Sequence, residues 1–153
     1  MMAKEKIKSA LFEAGRLYVK TRIETLETSL KAARESGNDE TKSTTGDKHE
    51  TGKAMMQLEQ EKIGIQLNEL MKMSKVMEGI PTEISKDKIK PGNIIITDKG
   101  NFYISIAAGK LLITDEIYIA ISAVSPIGSA FIHSSIGKTV KLGNNFYRIL
   151  DSY

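Results

Sequence analysis

The sequence predicts an α+β chain, an antiparallel two-helix hairpin followed by a small β-rich domain. Three observations carry this expectation. Residues 3–78 hold two long stretches with apolar residues at three- and four-residue steps, parted by a polar break. Gly79-Ile80-Pro81 then stops the helical pattern. From residue 92 the composition shifts to Ile, Tyr, Phe and Val, with turn signals between short runs.

The first helix is expected over residues 3–34, with Leu11, Phe12, Tyr18, Val19, Ile23, Leu26, Leu30 and Ala33 as its stripe. The polar stretch from Ser36 to Asp47 is rich in cap and turn residues and is expected to be a loop. A second helix starts near Thr51 and runs to about Met77, with Met56, Ile63, Leu67, Leu70, Met73 and Met77 in line. Gly64 weakens it at a cost of about 1 kcal/mol against Ala. Two helices of similar length around a short loop fold back antiparallel. One narrow stripe on each suits a two-stranded coiled coil. The expected division is a hairpin over 1–79 with its tip at about 36–50, a linker over 80–91, and a β-rich domain over 92–153. Strands are expected at Ile94–Thr97, Phe102–Ile106, Ile117–Ala120, Thr139–Leu142 and Phe146–Leu150. Gly143-Asn144-Asn145 is a hairpin signal. Ser125 and Pro126 fit the cap and first turn of a short helix reaching Ile132.

Composition narrows the function classes. No apolar run approaches the roughly 18 residues that a membrane span needs, and the N-terminus lacks a signal-peptide core. There is no Cys, so neither a disulfide framework nor a thiolate metal site is available. A cytoplasmic protein is the expectation. The net charge of +3 is too small to point to nucleic acid by itself. Its distribution is more informative. Residues 3–34 carry eight basic side chains against four acids, whereas residues 35–50 carry five acids against Lys42 and Lys48. A basic shaft with an acidic end fits a solvated charged hairpin. The sharper alternative is a hairpin that tracks an acidic or phosphate-rich channel and presents carboxylates, the hard ligands that Mg²⁺ takes; charge alone does not decide between the two.

Two segments resemble a known family. Ile119-Ala120-Ile121-Ser122-Ala123-Val124-Ser125-Pro126-Ile127-Gly128, then Ile136-Gly137-Lys138-Thr139-Val140 and Phe146-Tyr147-Arg148-Ile149-Leu150, resemble the C-terminal block of bacterial Gre-type transcription elongation factors. At the tip, Gly46-Asp47-Lys48-His49-Glu50 has the spacing of that family's G-D-x-x-E motif. The resemblance implies an FKBP-like C-terminal domain docked on RNA polymerase and a coiled-coil hairpin inserted in the polymerase secondary channel. It implies that Asp47 and Glu50 are the catalytic, metal-facing pair. They would help to hold a Mg²⁺ shared with RNA polymerase while the polymerase cleaves its own backtracked RNA, so contact with nascent RNA is indirect. Such a protein is a non-enzymatic factor with no cofactor of its own. Ser125, Pro126 and Ile127 would contribute to docking.

The chain departs from the family after the tip, where Thr51-Gly52-Lys53-Ala54 replaces the usual Asn-Ala-Glu-Tyr run. A rival alignment through Ala33-Arg34-Glu35-Ser36-Gly37-Asn38 makes Asp39 and Glu40 the working acids. Two alternatives therefore stay open, a secondary-channel regulator without cleavage stimulation and a coiled-coil interaction protein unrelated to transcription. Other motifs lead nowhere. Gly46 to Lys53 has one residue too many for a P-loop, and no Ser or Thr follows Lys53. His49 and His133 lack His or Cys partners, so His49 reads as solvated and His133 as a surface residue. Met55, Met56, Met71, Met73 and Met77 read as hairpin packing.

Overall fold

Both long apolar stripes are helical. The computed structural model describes residues 2–42 and 46–153, with residues 37–42 and 46–49 described by backbone alone. Helix α1 spans Lys4–Lys42 and helix α2 spans Gly46–Glu78. The two pack against each other as a hairpin. Most of the polar stretch expected to be loop is therefore helix. No Pro interrupts residues 34–42, and the one breaker there, Gly37, costs only about 1 kcal/mol. Starting α2 at Gly46 also sets Asp47 in its first turn, where the helix dipole favours anions, with Glu50 just beyond it.

The chain forms two units. One comprises Val19–Ser74, and the other Met1–Tyr18 together with Lys75–Tyr153. In the first, Val19, Ala33, Ile63 and Leu70 are buried on the facing stripes. Met56 and Met73 are half-buried there, but Met55 and Met71 point outward. They lie off the stripe that Ile63 and Leu70 define, so the packing role expected of the methionines holds only for Met56, Met73 and Met77.

The second unit contains a six-stranded sheet in the order β3-β4-β2-β1-β6-β5. The strands are β1 Ile94–Thr97, β2 Gly100–Ser105, β3 Gly109–Ile113, β4 Glu116–Ser122, β5 Thr139–Leu142 and β6 Asn145–Ser152. Among the described strands, β2 and β4 alone pair in parallel. All five expected strands are present, and β3 is an additional edge strand. At the turn between β5 and β6, Gly143 takes a φ of 61°, which a side chain would resist. Helix α3, Pro126–Ile132, covers one face. There Phe131 meets Phe102 and Tyr147 at ring distances of 5.1 and 6.2 Å, over Ile95, Ile104, Ile121, Val140 and Ile149. The alternate residues Ile94, Tyr103, Tyr118 and Ala120 are buried on the opposite face. On that side Lys4 and Ile7 of α1 come up to Ile96, Tyr118 and Tyr153.

Candidate functional site

The resemblance points to the acids at the end of α1 and the start of α2. Asp47 belongs to the first turn of α2 and Glu50 begins the next, while Asp39 and Glu40 belong to the last turn of α1. The helix dipole favours carboxylates at the start of a helix and disfavours them at its end. On backbone placement alone, the helix dipole favours an anion at Asp47 over one at Asp39 or Glu40. Glu50 is exposed. The side chains of Asp39, Glu40, Asp47 and His49 lie outside the described residues. Among the described residues, no group of three His, Asp or Glu gathers as a metal site.

The second candidate is the start of α3. Ser125 is its N-cap, with φ −68° and ψ 158°, and its Oγ accepts from the Gly128 N–H at 3.1 Å. The same hydroxyl donates to the Ser122 carbonyl at 2.6 Å, which fastens the helix to the end of β4. Gly128 lies so close that an added Cβ would overlap the Ser122 carbonyl oxygen. Pro126 occupies the first turn and is exposed. Ile127 is half-buried and packs on the core. The outward apolar residue here is Val124, 91% exposed, which the motif reading passed over. His133 is exposed, and its Nδ1 lies 2.8 Å from the Ser129 carbonyl oxygen at the end of α3.

Two further features carry no motif. Lys8 is 2% exposed, and its ammonium donates to the Glu83 carbonyl at 2.6 Å. Burial first, and then the charge of Lys90, lower its pKa. Its position on the stripe with Leu11, Gly15 and Val19 was the available signal. Lys4 is likewise engaged, 2.9 Å from Asp151. Two of the eight cations counted for the basic shaft thus serve packing at the helix start.

The other feature is a cleft of about 540 Å³ beside the first turns of α1. Met2, Ile7, Ile96 and Ile113 give it apolar walls, and Asp115, Glu116 and Asp151 give it carboxylates. Glu116 Oε2 accepts from Asn101 Nδ2 at 3.2 Å and from the Tyr118 hydroxyl at 3.4 Å. Burial, together with the charge and hydrogen bond of Glu116, raises the Tyr118 pKa. Burial and then the charges of Tyr118, Asp151 and Glu116 raise that of Tyr153. Both phenols therefore stay protonated at neutral pH. The Lys4 ammonium lies 4.8 Å from the centre of the Tyr153 ring.

Among the described residues, no helix is long and apolar enough to cross a membrane. The chain matches no family model and no curated protein.

Proposed function

We propose that the protein is an RNA polymerase-binding elongation factor of Gre type, with a coiled-coil hairpin that enters the secondary channel and an FKBP-like domain that docks outside. The observation that carries this reading is the Gly46-Asp47-Lys48-His49-Glu50 motif, which opens α2. The resemblance of the block from Ile119 to Leu150 supports it independently.

In this reading Asp47 and Glu50 supply oxygen ligands to a Mg²⁺ that the polymerase also holds. Carboxylate oxygens suit that ion, which is bound through one or two carboxylates and keeps several waters, and Glu50 is exposed. When bound it lowers the pKa of its water and stabilises charge on the displaced phosphate. Two neighbouring carboxylates repel one another, and the start of α2 offsets part of that cost. The bond broken is in the polymerase's own RNA, in the polymerase's own site, so the factor is not itself an enzyme. The start of α3 contributes to docking through Pro126 and Ile127, with Ser125 holding the turn in shape.

A second reading is a channel regulator that blocks without stimulating cleavage. The departure at Thr51-Gly52-Lys53-Ala54 favours it. A transcript-cleavage assay on stalled elongation complexes separates the two. Asp47→Asn and Glu50→Gln should each abolish stimulation while leaving fold and polymerase affinity intact. Loss in Asp39→Asn and Glu40→Gln instead would move the site to the end of α1. Binding without any cleavage effect would establish the blocker, and absence of polymerase from a pull-down would refute both readings in favour of an unrelated interaction protein.

A further inference from the structure

We infer that the cleft beside the first turns of α1 binds a protonated amine or guanidinium on an apolar stem, the chemistry of a lysine or arginine side chain or of a free aliphatic amine. Its volume, about 540 Å³, falls within the range of ligand sites. Its walls and its charges have separate jobs. Met2, Ile7, Ile96 and Ile113 offer apolar surface for a stem. Three carboxylates and one ammonium, that of Lys4, line the cleft; Lys4 is paired with Asp151, which also feels the charge of Lys86. Asp115 and Glu116 are left as the uncompensated charges, in a chain whose net charge is positive.

The site already receives a cation of this kind from its own chain. The Lys4 ammonium makes two contacts there, 2.9 Å to Asp151 and 4.8 Å to the face of Tyr153. An ammonium held by a carboxylate and a ring face is the arrangement an incoming amine would copy. Glu116 is prepared for the role. Its two protein donors both go to Oε2, which leaves the lone pairs of Oε1 for a ligand. The alternatives fit less well. An anion would meet the two uncompensated carboxylates. A bare divalent ion needs converging ligands, and among the described residues these carboxylates form no such group. A neutral apolar ligand would gain nothing from the charges of Asp115 and Glu116.

The test is a titration of the full-length, isotope-labelled chain with n-hexylamine, followed by amide NMR shifts, with n-hexanol as the uncharged probe of similar shape. Hexylammonium should give saturable shifts centred on residues 113–118, 151 and 153, and hexanol should bind about tenfold more weakly, the loss expected for one charge-assisted hydrogen bond. Glu116→Gln should weaken hexylammonium by a similar factor, and Asp115→Asn should do so to a smaller extent. Asp98→Asn, an exposed acid outside the cleft, should change nothing. Lys4→Met removes the resident ammonium and should tighten binding. A melting curve on each variant establishes that it is folded. Nα-acetyl-lysine amide against its norleucine counterpart distinguishes the sources. A lysine amide that outcompetes hexylamine marks a partner's side chain, and the reverse marks a small free amine. Equal binding of hexanol and hexylamine overturns the inference. So does hexylamine binding that is unchanged in both Glu116→Gln and Asp115→Asn, or the absence of saturable shifts in the folded wild type.

Discussion

On α2, Ile63 and Leu70 are buried seven residues apart, while Leu58 and Ile65 on the same helix are about two-thirds exposed. In the sheet, by contrast, neighbours on opposite faces are both buried. Ile94 and Ile95 are fully covered, as are Tyr103 and Ile104. A two-helix hairpin has one seam, so each helix hides one stripe and shows the rest. A central strand covered on both sides hides every residue. The two regions therefore differ in how much of their stability a single side chain carries, and in how widely its loss is felt.

The sharpest way to test that difference is in the sheet. Phe131→Ala removes the ring that packs on both Phe102 and Tyr147. It should cost about 3–5 kcal/mol, as large aromatic truncations do in a close-packed core. Denaturation followed by Tyr fluorescence should register the whole loss in the unit that holds the sheet. A cost under about 1 kcal/mol would mean that α3 packs more loosely than the ring distances indicate.

The matching change in the hairpin is Ile63→Asp, which buries an unpaired carboxylate at a cost of about 3 kcal/mol. Hydrogen exchange should show protection lost within residues 19–74 and kept in 93–153. Uniform loss in both would break the comparison. The opposite sign is expected at Gly64, where an added Cβ meets nothing within 4 Å. Gly64→Ala should slow exchange across α2, stabilising it by about 1 kcal/mol. No change in exchange would show that the helix is not limiting there.

These contrasts explain what could be read from the chain. The hairpin, five strands, and the Ser125 cap with Pro126 were legible because each rests on a local rule of period, turn or cap. The β3 strand was not. Gly109-Lys110-Leu111-Leu112-Ile113 has no strict alternation and is leucine-rich at an edge, and its turn to β4 uses Thr114 at φ 57° where Gly or Asn is usual. The helix ends between 34 and 51 were hidden for the opposite reason. Polar residues that favour loops are also tolerated on exposed helix surface, and only the pairing of two helices decides between them. The cleft was illegible because its residues come from positions 2–7, 96, 113–118 and 151–153, which no spacing rule links. Lys8 was half legible, a charge on an apolar stripe whose backbone partner, Glu83, no sequence pattern names.

The smallest effect expected is at the start of α1, where Lys4 and Asp151 pair with both side chains more than a third exposed. Burial alone would raise the Asp151 pKa. The hydrogen bonds from Lys4 and the Ser152 N–H, with the charges of Lys4 and Lys86, outweigh it and bring the pKa below its usual 3.8. A carboxylate depressed in the folded state stabilises that state above its unfolded pKa, and the contribution fades as pH falls through the lower folded value. The window therefore opens near pH 4 and extends downward. Solvent screens so exposed a pair, which limits its worth to under about 1 kcal/mol. Lys4→Met should lower stability slightly at pH 7, less so in high salt, and the gap from wild type should close as the pH drops below about 4. Melting curves at pH 7 and pH 3 test this directly. A gap that persists at pH 3 would mean that Lys4 acts through its stem and the Tyr153 ring rather than through Asp151.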